Sequence, residues 1–291
     1  MNPEDYTIVL PPADVLPSAG TLSPYRQRPR RPGIRVGDAK RDMPVYLFLA
    51  ALAVLTVVSL GLLDLDLAKL IERLPKLGKV FLDMSRFSTE RFSLTLLTLL
   101  ETIAVAVLAL IYGMLAGLVL GALAARNITP WKPLSFILKS LFAFIRAVPT
   151  PVWVLLVLAS MGFGMAAGIM GLLFHVVGFF GRVFAQIFEE VPSQTIEAVR
   201  TGGASRVQVF FGAVLPSSLS GIIAWTALRF ETNYVEAAIL GMVGAGGVGY
   251  TILAAMNSYK LGRAGLAVLI VFVFALAVEL LTTYVKRKVK I

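Results

Sequence analysis

The sequence contains no cysteine and a single histidine, His175. Without thiols the chain can form no disulfide, no thiolate metal site and no cysteine nucleophile, and one imidazole rules out a multi-histidine metal centre within one chain. Charge is scarce as well. Asp, Glu, Lys and Arg make up 15% of the 291 residues, against roughly a quarter in a soluble domain. No Gly-x4-Gly-Lys-Ser/Thr nucleotide loop occurs, since Gly78-Lys79 is followed by Val80 and lacks the first glycine. Any ATP hydrolysis must come from another polypeptide. His175 has no Ser or Asp near it on its helix, which disfavours an intramembrane hydrolase.

What the chain has in abundance is apolar sequence. Hydrophobic residues make up 57%, arranged in runs of about 20 that specify helices rather than a barrel. The fold class is therefore all-α integral membrane. The formal net charge of +10 is concentrated at the ends, in Arg26, Arg28, Arg30, Arg31, Arg35, Lys40 and Arg41 and in Lys286, Arg287, Lys288 and Lys290. Positive residues flank spans on the cytoplasmic side. Nucleic acid is not an expected partner, because no stacking aromatics are interleaved with these charges.

Residues 1–42 hold seven of the fifteen prolines and little apolar periodicity, and read as a disordered cytoplasmic tail. Both that tail and the run after it are too long for a cleaved signal peptide. A first span covers 43–63. Residues 64–93 place Leu67, Leu70, Ile71, Leu74, Leu77 and Phe81 at helical spacing among charges, as expected of an amphipathic helix on the outer interface, kinked or broken at Pro75. The core, 94–285, then carries spans at about Leu94–Ala125, Leu134–Met161, Ala166–Gln186, Ser217–Ile239 and Gly265–Tyr284, and a short basic cytoplasmic tail, 286–291, follows. Gly113, Gly117 and Gly121 form a small-residue stripe for close helix approach. Pro149 and Pro151 bend or break the third span. Six spans put both termini, and the loop 187–216, on the cytoplasmic side. No repeat of 20–50 residues is visible.

That loop is the most informative stretch. Pro192 suits the first turn of a helix, Gln194–Thr201 is helical, and Gly202-Gly203 supplies a left-handed stop. A second helix from Ala204 carries Val207, Phe210, Phe211 and Val214 toward protein or membrane, and Pro216 marks entry to the next span. Glu197 and Arg200 share a face, and Ala198 leaves room for a partner's side chain. Glu197-Ala198-Val199, then Gly203, then Leu215-Pro216 resembles the coupling loop of bacterial ABC importer permeases. Val199 stands where the family has a second alanine and Ala213 where it has isoleucine. Arg146-Ala147-Val148-Pro149, Gly178-x-x-Gly181, Leu228-Arg229-Phe230-Glu231 and 240–249 extend the likeness, over about 94–285, to the phosphonate-importer branch.

The resemblance implies the type I importer architecture, with six transmembrane helices per subunit and a cytoplasmic coupling hairpin, in a bacterial cytoplasmic (inner) membrane. It implies a subunit that makes and breaks no covalent bond and moves phosphonate, phosphite or a related oxyanion by alternating access. The expected partners are a second copy of the chain, two ATP-binding subunits, an external solute-binding protein and the lipid bilayer. The chain itself holds no cofactor, and ATP and Mg belong to the partner ATPases. Glu197, Ala198, Gly203, Leu215 and Pro216 form the docking surface, Glu197 pairing either with a partner base or with Arg200.

Gly244-x-Gly246-x-x-Gly249 formally matches a dinucleotide fingerprint but lacks the preceding strand and the βαβ unit, and reads as a tight turn. Charges at membrane depth are costly and face a cavity or a partner. They are Glu101, Arg146, His175, Arg229, Glu231, Glu236 and Glu279. Arg146, His175, Arg229, Glu231 and Glu236 are candidates for the translocation path, with the arginines suited to tetrahedral oxyanions. Structural pairing of Arg229 and Arg146 with Glu231, Glu101 or Glu236 is the competing role, and His175, alone on an apolar helix, reads as a packing residue ahead of a proton relay. Glu101 and Glu279 lie near span ends and can reach the interface. A permease of the same build for a different solute, or a stand-alone secondary transporter, is the alternative function. The latter has no need of a docking loop and would be expected to show inverted repeats.

Overall fold

The computed structural model describes residues 39–63 and 66–288. The expected disordered tail therefore lies outside the described residues up to position 38, as do 289–291. The chain divides into two units, Met1–Ile71 and Glu72–Ile291. In the first, α1 (Ala39–Leu62) is an apolar helix long enough to cross a bilayer. Helix α2 (Leu67–Ser85) starts where Asp66 accepts the backbone N–H of Lys69 at 3.0 Å, an N-cap that satisfies an otherwise orphaned donor. That N–H, with the Lys69 ammonium 2.9 Å away, holds the Asp66 carboxyl below its usual range. Helix α2 continues through Pro75, so of the kink or break expected there the break is excluded. Proline removes one i→i−4 bond, and that loss does not end the helix here.

The second unit is built on α3 (Phe92–Ala124) and α6 (Met165–Glu189). The glycine stripe of α3 meets the aromatic-rich face of α6. A Cβ on Gly113, Gly117 or Gly121 would overlap Val176, Phe180 or Phe184 respectively. Phe180, Phe184 and Phe188 are fully buried and line up along that contact. Helix α4 (Lys132–Ala147) and helix α5 (Thr150–Met161) also pack on α6, with Phe142 over Gly181, Ile145 over Gly178 and Val154 over Gly171. The two are bent by 87° at Val148-Pro149. Proline 149 cannot donate to the Ile145 carbonyl, and the Trp153 indole N–H does so instead, at 3.0 Å.

After α6 come α7 (Ser193–Thr201) and a continuous helical run built of α8 (Arg206–Val209), a π-turn (Phe210–Val214) and α9 (Leu215–Leu240). Pro216 thus does not mark a new helix. Its missing N–H leaves the Gly212 carbonyl unmatched in α register, and the chain answers with an i→i+5 bond from Leu215 N–H to Phe210 O. The expected second helix of the hairpin and the fifth span are one rod, and Arg206–Ala245 is 40 residues long.

A second π-turn (Gly241–Ala245) ends in left-handed glycines, Gly244, Gly246 and Gly247. Helix α10 (Gly247–Asn257) and helix α11 (Leu261–Lys288) complete the bundle. The glycine run is a tight turn as read: a Cβ on Gly249 would overlap the Ala238 carbonyl. Helix α10 was not expected from the sequence. At about 16 Å it is too short to cross a bilayer and gives no span signal. Five single helices of the described residues are long and apolar enough to span, and the bent pair α4–α5 makes six if it counts as one span. Among the described residues there is no strand.

Candidate functional site

Two regions hold the residues singled out from the sequence. The first is the hairpin of α7 and α8 at the end of the bundle where α3 and α6 terminate. Pro192 lies just before α7 rather than in its first turn, at φ −55° and ψ 137°. Ile196 is the one buried residue of α7 and ties it to the apolar core that also holds Val191 and Val209. Glu197, Ala198 and Gly203 all face outward. Gly203 turns the chain at φ 79°, with open space where a side chain would be. Arg200 does not take Glu197 as its partner. Its Nη2 donates to the Asn127 carbonyl at 3.3 Å, and Asn127 Nδ2 in turn donates to the Phe188 carbonyl at 2.6 Å. Glu197 consequently has no ion pair among the described residues. Ser205 caps α8 through a reciprocal box with Gln208, which fixes the exit from the reversal. Leu215 is half-buried and Pro216 exposed, both on the rod rather than on the hairpin.

The second region lies at mid-bundle, where α4 breaks. Arg229 and Glu236 are seven residues apart on one face of α9 and form a forked pair, Nη1–Oε1 at 3.2 Å and Nη2–Oε2 at 3.1 Å. The Arg229 side chain is 5% exposed, and its guanidinium sits 5.2 Å from the centroid of the Phe179 ring, an attractive cation–π arrangement. Its Nε is buried without an acceptor. Thr150, the first residue of α5, places Oγ1 2.9 Å from His175 Nδ1 and 3.5 Å from Glu236 Oε2. The hydroxyl can accept from the ring N–H while donating to the carboxylate. The start of α5 thereby also brings the positive end of a helix dipole beside Glu236.

The structure thus joins Arg229, Glu236 and His175 through Thr150, a residue the sequence reading passed over. Its signal was its position between two prolines, where a helix must begin. Arg146 lies in the last turn of α4, just before the break. It is exposed, makes no ion pair among the described residues, and lies against Gly178, one turn from His175. Glu231 is not part of the group. It accepts from Thr282 of α11 at 3.3 Å, on another face of α9. Asn233, fully buried, was also missed, and ties α9 to α3 by donating to the Ala106 carbonyl at 3.1 Å. Glu101 is half-buried with no partner among the described residues, and Glu279 is exposed.

Residues 117–291 match the family described as binding-protein-dependent transport system inner membrane component. The chain belongs to this family. The match takes in α6, the hairpin, the rod and everything after it. The phosphate-import permease protein PhnE of Mycolicibacterium smegmatis is 32% identical over 188 residues, 65% of this chain and 35% of that protein. The chain thus spans about a third of that relative's length. The phosphite transport system permease protein PtxC of Stutzerimonas stutzeri is 29% identical over 66% of this chain and 70% of its own. Among solved structures, the methionine ABC transporter MetNI in an inward-facing form overlays with a TM-score of 0.62 at 21% identity. It covers 70% of this chain and 100% of the matched one. The fold is therefore that of a type I importer permease, and the chain is a multi-pass protein of an inner-membrane permease family.

Proposed function

We propose that this chain is the membrane-spanning subunit of an ATP-driven importer for a small phosphorus oxyanion, a phosphonate, phosphite or phosphate. The observation that carries the reading is the family match combined with likeness to permeases named for phosphate and phosphite import. A homodimer encloses the path, an external binding protein delivers the anion, and two ATPase subunits dock on the hairpins and drive alternating access. The chain makes and breaks no covalent bond, and hydrolysis occurs on the ATPases. Both termini and the hairpin face the cytoplasm, in accord with the basic ends, and α2 lies along the outer interface.

Within this reading, Glu197, Ala198 and Gly203 meet the ATPase, because they are exposed and Glu197 has no partner of its own. Arg229 and Arg146 are the cations that the oxyanion meets at mid-depth. Glu236 neutralises Arg229 between transport events, and His175, through Thr150, holds the carboxylate in place. The test is uptake together with ATPase co-purification. Ala198→Trp, which adds bulk on the exposed face of α7, should abolish co-purification while leaving the folded permease intact. Retained co-purification and uptake would refute the docking assignment. For the path, Arg229→Gln should abolish uptake and substrate-stimulated ATP hydrolysis with the complex still assembled, and normal values of both would refute it.

A second solute class has one observation in its favour. The glycine betaine/proline betaine permease ProW of Escherichia coli is 25% identical over 64% of the chain. Competition of labelled phosphite uptake by betaine would favour that class, and competition by methylphosphonate the first.

A further inference from the structure

A pocket of about 390 Å³ opens where α3, α4 and α6 meet at the hairpin end, lined by Arg126, Lys139, Arg182, Gln186 and Glu189. Three cations face one carboxylate, and that carboxylate is already engaged. Glu189 Oε1 accepts from the Lys139 ammonium at 2.6 Å and from the Arg126 backbone N–H at 2.7 Å, and Oε2 accepts from Lys139 at 2.9 Å. Gln186 is turned to Glu190 at 3.3 Å. The guanidiniums of Arg126 and Arg182 are exposed and have no acceptor among the described residues. The pocket thus presents two uncommitted planar donor groups and an excess of positive charge.

Its depth decides what that charge is for. Arg182 lies seven residues before the end of α6 and Lys139 seven after the start of α4, so both side chains leave their helices about 10 Å inside the bundle end. Cationic side chains rooted there extend toward the headgroup level. The neighbouring face of α4 is apolar and uncovered, with Phe136 71% and Phe144 60% exposed. A ligand with an anionic head and an apolar body fits both surfaces at once. Basic pockets between spans at a membrane face have the chemistry that holds phosphate headgroups.

We infer that Arg126 and Arg182 bind the headgroup phosphate of an anionic phospholipid in the cleft between α4 and α6. The site is separate from the Arg229–Glu236 pair and does not rest on the function proposed above. Because Glu189 is held by Lys139 and by a backbone N–H, removing the two guanidiniums leaves its bonds untouched. The headgroup bridges α6, through Arg182, and the loop after α3 that carries Arg126 and Asn127, the acceptor of Arg200.

The full-length chain, extracted from bilayers of phosphatidylethanolamine with a minor fraction of phosphatidylglycerol, is examined by native mass spectrometry for retained lipid. Arg126→Gln with Arg182→Gln should lower phosphatidylglycerol retention by about tenfold or more. Arg126→Lys with Arg182→Lys should keep most of it. Lys286→Gln with Arg287→Gln, an equal charge loss in the last turn of α11, should keep all of it. Unchanged retention in the Gln pair overturns the site, as does an equal loss in the α11 control. Displacement of the lipid by millimolar inorganic phosphate or methylphosphonate would make the ligand a free oxyanion and overturn the lipid assignment.

Discussion

The hairpin and the mid-bundle cluster use polar residues to opposite ends. On the hairpin, one buried side chain, Ile196, holds a helix whose polar groups point away from the protein. Each of its local bonds is a cap or an exposed contact of about 1 kcal/mol or less. In the cluster, few polar groups are present, and Arg229, Glu236, Thr150 and His175 are each tied to another of the four. The contrast follows from solvent. Water satisfies an unpaired Glu197 at little cost, whereas an unpaired charge at membrane depth is expensive. With the docking proposed above, one fold leaves the polar groups of the hairpin open and closes those around Arg229.

The sharpest way to break that contrast is to unpair the cluster. Glu236→Ala leaves Arg229 buried without its counter-charge and should destabilise the detergent-solubilised protein by about 3–5 kcal/mol. The joint change Arg229→Gln with Glu236→Gln removes both charges and should recover most of that loss. If the single change leaves the thermal midpoint where it was, the pair is not the closed unit described here. Next in size is Gly117→Val. Its Cβ would overlap Phe180 and lie 3.1 Å from the Gly181 backbone N. Neither neighbour can move freely, so a cost of about 1–3 kcal/mol is expected. Gly61→Val, on α1, where a Cβ meets nothing within 4 Å, serves as the control.

The legibility of this fold divides along similar lines. Long apolar runs and the Gly113-Gly117-Gly121 stripe announced α3 and its close partner, because membrane spans and small-residue contacts follow composition. Pro149 and Pro151 announced the break. Pro75 did not break α2, and Pro216 stands where the rod passes from a π-turn into α9. A proline removes one hydrogen bond, but whether the helix stops depends on whether the neighbouring turn can re-register, as the Phe210–Val214 π-turn does. Helix α10 was hidden by the glycines that open it and by its short length. In the candidate site, the charges were visible individually, while their grouping was not. Arg229 and Glu236 lie two turns apart on one helix, but Thr150 and His175 reach them only through the bend at Val148-Pro149, which a periodicity reading cannot place. Glu231, offered as a partner for Arg229 two residues away, instead accepts from Thr282, a contact with no sequence signal.

Smaller effects probe the hairpin side. Ser205→Ala removes the acceptor for Gln208 N–H and one half of the capping box. It should cost about 1 kcal/mol in stability, read as a small drop in thermal midpoint. Because the cap sets how the chain leaves Gly203, the same variant should also weaken ATPase co-purification more than its stability loss explains. A proportional loss of both would assign Ser205 to folding alone.

The smallest expected effect on the fold, Glu197→Arg, is the most discriminating. The side chain is exposed and pairs with nothing among the described residues, so stability should stay within about 0.5 kcal/mol of the parent. Arg200 keeps its bond to Asn127 in the variant, since Glu197 never shared it. Any loss of ATPase co-purification then reports on the outward face itself and not on the integrity of the hairpin. A stable permease that no longer retains its ATPase is the expected outcome. Unchanged stability with unchanged co-purification would place the docking contact away from Glu197, while a clear drop in thermal midpoint would mean that this residue belongs to the closed chemistry after all.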